Sequence, residues 1–226
     1  MTRIASIHYL LGSKKESLND ICKENPDWNY EKLFSKTGIS NRHLLDDDET
    51  PEDLSYKAAK ACIENYKNKE IDGVLYVSQS PTNPLPTRAC LLEDKLGITK
   101  NSLAFDINQG CSGFVYSLSL ATSLIKNDLA ERILIICSDH YSKYISKNDR
   151  TCRPIFSDAA AATIIEKSSD QKIGLHTEGH IVQQSGHNGI LAVPIGQVEL
   201  LRYMSNVVGY QNLLALARRG TKLTKD

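Results

Sequence analysis

The chain has 226 residues, of which 27 are Lys or Arg and 27 are Asp or Glu, so its formal net charge is zero. That length holds one large domain or two small ones, and 41% apolar residues are enough for a core. Balanced charge argues against a strongly basic nucleic-acid binder and against a polybasic membrane-surface protein.

Residues 3–11 are rich in β-formers and read as a strand. Residues 16–24 and 30–36 read as short helices, the second closed by Gly38. Thr50 and Pro51 predict a helix start: Thr50 caps, Pro51 takes the first helical position, and Glu52 and Asp53 follow in the first turn. Leu54, Ala58 and Ala61 then share one face, with Tyr66 near the end. Residues 71–78 read as a strand. Pro81, Pro84 and Pro86 exclude regular structure from 80–86, and Pro86 is expected to open a helix through 96 that Gly97 ends. Residues 102–107 predict a strand, 108–113 a tight turn of small residues, and 114–126 a helix. Residues 132–138 form an apolar strand of the kind buried on both faces. A polar loop over 139–154 leads to a strand-like stretch at 159–166. Strands separated by helices imply βαβ units, a mostly parallel sheet and right-handed crossovers. Residues 173–193 read as short strands and turns, and a single amphipathic helix runs from 197 into the basic stretch 218–222.

The opening residues carry Arg3, His8, Lys14 and Lys15 without an apolar stretch between them, so no secretory signal is read there. The longest apolar run, 133–137, is far short of a membrane span. The six cysteines, at 22, 62, 90, 111, 137 and 152, then point to reduced thiols in a cytoplasm. No two form a CxxC, which argues against a zinc site or a redox dithiol. Cys62, Cys90 and Cys137 sit inside apolar patterns and read as core filler.

Chemistry is best placed at Asp106-Ile107-Asn108-Gln109-Gly110-Cys111-Ser112-Gly113-Phe114. A cysteine there stands between a predicted buried strand and a long helix, with glycines on either side. Gly110 and Gly113 permit a sharp turn and the close approach of a ligand. The first N–H groups of a helix have no partner within it, and with the helix dipole they favour a thiolate. The same groups can serve an oxyanion hole for a thioester carbonyl. This is a nucleophile elbow with sulfur in place of oxygen. The competing reading makes Cys111 a small apolar filler in a tight turn.

These residues carry a resemblance. The segment 106–114 resembles the active-site segment of the beta-ketoacyl-acyl-carrier-protein synthase III family, in the thiolase superfamily. Lys36-Thr37-Gly38-Ile39 followed by Arg42-His43 is similar to that family's T-G-I-x-x-R segment. Residues 80–90 resemble its loop and helix ahead of the active-site strand. Asp149-Arg150, then Phe156-Ser157-Asp158-Ala159-Ala160-Ala161-Ala162, resemble its D-R and F-G-D-G-A-G-A segments. The likeness covers roughly residues 1–195.

The resemblance implies an α/β, thiolase-like layered fold of two similar βαβαβ halves. It divides the chain into residues 1–170, the half with the nucleophilic cysteine, and 171–226, a partial start of the second half plus a divergent helix. It implies an acyltransferase of the cytoplasm: Cys111 takes an acyl group from acyl-coenzyme A or an acyl carrier protein, then passes it to malonyl on acyl carrier protein with loss of carbon dioxide. Such chemistry belongs to fatty acid or related biosynthesis. It uses no resident cofactor or metal, no nucleic acid and no membrane, and the family acts as a homodimer. Residue by residue, Cys111 matches the nucleophile and Arg150 a cation that meets the donor's nucleotide or phosphopantetheine. Lys36 replaces an arginine at that mouth, keeping charge but losing a forked phosphate contact. Leu85 matches a residue that crosses the dimer interface to line the partner's acyl pocket. Arg150 and Lys36 read equally as solvated charges, and Leu85 as a loop anchor.

Three departures accompany the likeness. Lys32 stands where many members have a tryptophan that stacks on adenine, which favours a carrier-protein donor; Trp28 lies one turn earlier. Ser157, Ala159 and Ala161 replace three glycines. The histidine and asparagine segments that complete the family's site are not found, and no motif recommends His176, His180 or His187 in their place. A non-catalytic remnant or partner subunit of such a synthase is therefore a second expectation, and a cysteine hydrolase with a histidine beside Cys111 is a third.

Overall fold

A computed structural model describes residues 2–67, 70–98 and 102–168. The expectations for 173–193, for the helix from 197, for the basic stretch and for His176, His180 and His187 lie outside the described residues, as does the whole of the 171–226 unit.

Seven strands and five α-helices follow in order: β1 (Thr2–Leu11), β2 (Lys14–Ser17), α1 (Leu18–Glu24), α2 (Tyr30–Thr37), β3 (Asn41–Leu44), α3 (Pro51–Glu64), β4 (Gly73–Val77), α4 (Arg88–Leu96), β5 (Leu103–Ile107), α5 (Gly113–Lys126), β6 (Arg132–Asp139) and β7 (Ala159–Lys167). The main sheet has the order β1-β7-β6-β4-β5, and β2 pairs with β3 in a separate ribbon. Helix lies on both faces, which makes an α/β layered fold. On one face α3 and α4 cover Val74, Tyr76, Leu134, Ile136, Ala160 and Ile164. On the other, α5 covers Leu75, Val77, Ile133, Ile135, Cys137 and Ile165. Successive residues of β4 and β6 thus enter opposite cores, as the two-residue period of a strand requires, and the apolar run predicted at 132–138 is buried on both sides.

The caps follow the sequence where the signal is local. Thr50 accepts the Asp53 N–H at 3.1 Å, with Pro51 in the first turn of α3. Gly38 (φ 70°) and Gly97 (φ 68°) end α2 and α4 in the left-handed region that suits glycine.

Four expectations change. The helix predicted over 16–24 begins only at Leu18; Lys14–Ser17 is a strand, and Ser17 caps α1 by accepting the Asp20 N–H. The helix after the prolines begins at Arg88, not Pro86. The sheet is mixed: β4 runs parallel to both β5 and β6, whereas β7 is antiparallel to β6 and to β1. An apolar strand buried on both faces looks the same in either direction, so composition could not tell them apart. Finally, β5 is the edge strand, and Phe105 on it is 43% exposed.

Candidate active site

β4, β5 and β6 are parallel, so their carboxyl ends emerge on one side of the sheet, where ligands of open α/β folds bind. The elbow leaves β5 there. A single turn of 3-10 helix, Gly110–Ser112, joins β5 to α5. Gly110 takes a φ of 52°, a conformation that a side chain disfavours, and so lets the chain reverse. Gly113 meets a different demand: a Cβ there would stand 2.4 Å from Cγ1 of Val77. Its bare backbone lets the start of α5 rest on the end of β4. Cys111, between the two, is exposed.

The turn changes the expected supply of free amides. Ser112 N–H donates to Gln109 O at 3.2 Å, and Gly113 N–H donates to Gly110 O. The short helix satisfies these groups before α5 starts. Of the other cysteines, Cys62 and Cys137 are core residues as predicted, and burial pushes both thiols up. Cys90 departs from expectation: it is exposed and accepts the Thr87 hydroxyl at 3.0 Å.

Asp106 sits in the elbow motif but serves another element. Its carboxylate accepts Arg88 N–H at 2.7 Å and Ala89 N–H at 2.8 Å, capping α4, where Thr87 makes no side-chain cap. No local signal could show this, because the partners are far apart in sequence.

Leu85 stands in the proline loop and is 78% exposed. The loop is pinned at both ends. Asp139, at the end of β6, accepts from Ser78 Oγ, Gln79 N, Ser80 N and Ser80 Oγ at 2.7–3.0 Å. Glu52 pairs with Arg88 at 2.6 Å and accepts the Thr82 hydroxyl.

Arg150 is exposed on the loop between β6 and β7. Asp149 shapes that turn by accepting Thr151 Oγ1 (2.6 Å), Cys152 N–H (3.0 Å) and Thr151 N–H (2.9 Å). These bonds, the Thr151 hydroxyl first, pull its carboxyl down to about 2. Cys22 on α1 is raised by burial first, then pushed up by Glu31 and down by Arg150. Arg150 therefore lies within electrostatic range of α1. Lys36 and Lys32 are exposed on α2. The structure thus brings the Arg150 loop to α1, which packs beside α2, while Leu85 and Cys111 follow the neighbouring strands β4 and β5.

Asp158, fully buried, was seen in the sequence only as part of a motif. It accepts Leu45 N–H at 3.0 Å, Ser142 N–H at 3.0 Å and Ser142 Oγ at 2.6 Å, while its backbone joins Gly12 and His43. Ser157, in place of a glycine, accepts the His43 N–H at 3.0 Å. The histidines nearest these loops are engaged there: His43 Nδ1 lies 3.1 Å from Gly12 O, and His140 Nε2 3.8 Å from Asp158.

Fold and elbow together define a thiolase-like protein with a cysteine at the head of a core helix. The family profile of 3-oxoacyl-[acyl-carrier-protein] synthase III matches residues 105–180. A beta-ketoacyl-[acyl-carrier-protein] synthase III from Acholeplasma laidlawii is 40% identical over 157 residues, covering 68% of this chain and 50% of the relative. One from Brucella anthropi is 36% identical over 155 residues, 68% of this chain and 46% of that protein. A crystal structure of a 3-oxoacyl-(acyl-carrier-protein) synthase III superposes with a TM-score of 0.71 at 36% identity, over 75% of this chain and 51% of the other. That of the synthase III from Pseudomonas aeruginosa gives 0.68 at 27%, over 74% and 52%. Over the residues matched, the chain is similar to the beta-ketoacyl-acyl-carrier-protein synthase III family. It spans about half the length of the curated relatives it matches. Among the described residues, no helix is long and apolar enough to cross a membrane.

Proposed function

We propose that Cys111 is the acyl-accepting nucleophile of a beta-ketoacyl-acyl-carrier-protein synthase III activity. Its thiolate attacks the carbonyl carbon of an acyl thioester. The new carbon–sulfur bond forms as the donor's thiolate leaves and takes up a proton. Malonyl on acyl carrier protein then loses carbon dioxide. Its carbanion attacks the acyl-enzyme, a carbon–carbon bond forms, and Cys111 departs as thiolate. Covalent catalysis of this kind divides one hard step into two. The observation that carries the reading is the exposed Cys111 at the carboxyl end of β5, one turn before a 14-residue helix.

Arg150 and Lys36 are the cations that would meet the donor's phosphate, and acyl carrier protein or coenzyme A is the partner they suit. Leu85, extended into solvent, and the open edge of β5 suit a second copy of the chain, which makes a homodimer the fitting assembly.

The test is intact-protein mass spectrometry after incubation with acetyl-coenzyme A and, separately, an acyl-acyl carrier protein. The expected result is one acyl group added to the wild-type chain and none to Cys111→Ala. An unmodified wild-type chain with both donors sinks the reading and supports a non-catalytic partner chain instead.

A further inference from the structure

One cluster of charge is not used by this reading. Arg153 lies three residues beyond Arg150 on the same loop, yet its side chain is only 4% exposed. Its Nη2 donates to Glu16 Oε1 on β2 at 3.0 Å and to Glu24 Oε2 on α1 at 2.6 Å, and its Nη1 donates to Lys147 O at 2.8 Å. Glu16 in turn accepts Arg42 Nε at 2.5 Å, and Arg42 Nη1 reaches Phe156 O at 3.4 Å. The chain of contacts thus returns to the loop it left. Arg153 is also bound to the Arg150 turn through the backbone: its N–H donates to Asp149 O at 3.0 Å, and Asp149 organises the turn that contains Arg150.

Stability alone is a poor account of this arrangement. Arg153 Nε is the one buried side-chain nitrogen or oxygen without a hydrogen-bond partner among the described residues. An apolar side chain of similar volume is often as good or better in such a place. A buried guanidinium differs in direction: its rigid fork fixes Glu16 and Glu24 on Nη2 against the Lys147 carbonyl on Nη1. Here the carboxylates belong to β2 and α1, and α1 packs beside α2, which carries Lys36.

We propose that Arg153 is a positioning residue, which with Glu16, Glu24 and Arg42 clamps the Arg150 loop against α1 and so sets Arg150 and Lys36 at a spacing that fits one phosphate-bearing acyl donor. The inference rests on the functional reading above and deepens it.

The experiment is calorimetric titration of the full chain with coenzyme A and, in a second arm, with phosphopantetheinylated acyl carrier protein, which also shows which donor carries the phosphate. Arg153→Met is expected to weaken the donor that binds about tenfold, and Glu24→Gln two- to fivefold. Arg153→Lys, which keeps charge but not the fork, should fall between wild type and Arg153→Met. Arg150→Ala with Arg153→Met should bind within twofold of Arg150→Ala alone, because one residue acts through the other. At saturating donor, acylation of Cys111 should change less than twofold in Arg153→Met while the half-saturating concentration rises. A merely structural role would not separate the two. If Arg153→Met does not fold, Glu24→Gln decides the matter, since Glu24 is half-exposed. Affinities within twofold of wild type in the folded variants, or losses that multiply in the double variant, overturn the clamp and leave the functional reading standing. Failure of the wild-type chain to bind either donor overturns both.

Discussion

The elbow at 106–114 and the loop region at 139–158 place their residues by opposite means. At the elbow the backbone does the placing: Gly110 turns the chain and Gly113 lets α5 sit against Val77. In the second region buried side chains do it. Asp139 gathers Ser78, Gln79 and Ser80, Asp158 gathers Leu45 and Ser142, and Arg153 gathers Glu16 and Glu24. A nucleophile must stay exposed, so it cannot be held by packing and is held by the geometry of its own chain. Loops without regular structure have many unmet amides, and buried carboxylates satisfy several at once.

Asp158→Ala should break the second region most. It strands the buried amide of Leu45 and the half-buried amide of Ser142, and a loss of about 3–5 kcal/mol is expected in urea unfolding. A loss below about 0.5 kcal/mol, the range of an ordinary surface change, would mean that buried polar groups do not hold these loops. Gly113→Ala tests the elbow. The added methyl group must displace Val77 or α5, at about 1–3 kcal/mol, and Cys111 should lose most of its acyl transfer in the mass assay. Full stability with full labelling would show that the close approach is not what places the cysteine.

Asp139→Asn should have the smallest effect, within about 1 kcal/mol. Oδ1 takes the short bonds, while Oδ2 accepts Gln79 Nε2 at 3.5 Å, so an amide nitrogen fits on that side once the Gln79 amide turns its oxygen to accept. The pH dependence sharpens the point. Burial raises the Asp139 carboxyl above its ordinary value against the pull of its hydrogen bonds. The folded chain therefore binds this proton more tightly than the unfolded one. The resulting stability is full below the ordinary aspartate range and declines as pH rises through the raised value. Asp139→Asn should flatten that decline in melts taken from pH 3 to pH 7. An unchanged slope would assign it to another group.

Much of this was legible in the residues. Thr50 and Pro51 start α3, and Gly38 and Gly97 end α2 and α4, because caps depend on neighbours within one turn. The elbow was legible for the same reason. The β2–β3 ribbon was not. Lys14–Ser17 and Asn41–Leu44 are polar, and their pairing sets Glu16 opposite Arg42 across a long stretch of chain. Capping of α4 by Asp106 was equally hidden, as was the role of Arg153, which in the sequence is one cation among many.

The residues alone determined the order of the helices and of the strands of the main sheet, the glycines that bend the elbow, and the cysteine that stands on it. Those features rest on the period of a helix or strand and on dihedral angles, which a local stretch carries by itself. Tertiary structure decided the direction of β7 and β1, the edge position of β5, the loss of the expected free amides to the turn at Gly110–Ser112, and the partners of Asp139, Asp158 and Arg153. A buried charge takes its meaning from what the rest of the fold brings to it, and such partners come from remote parts of the chain.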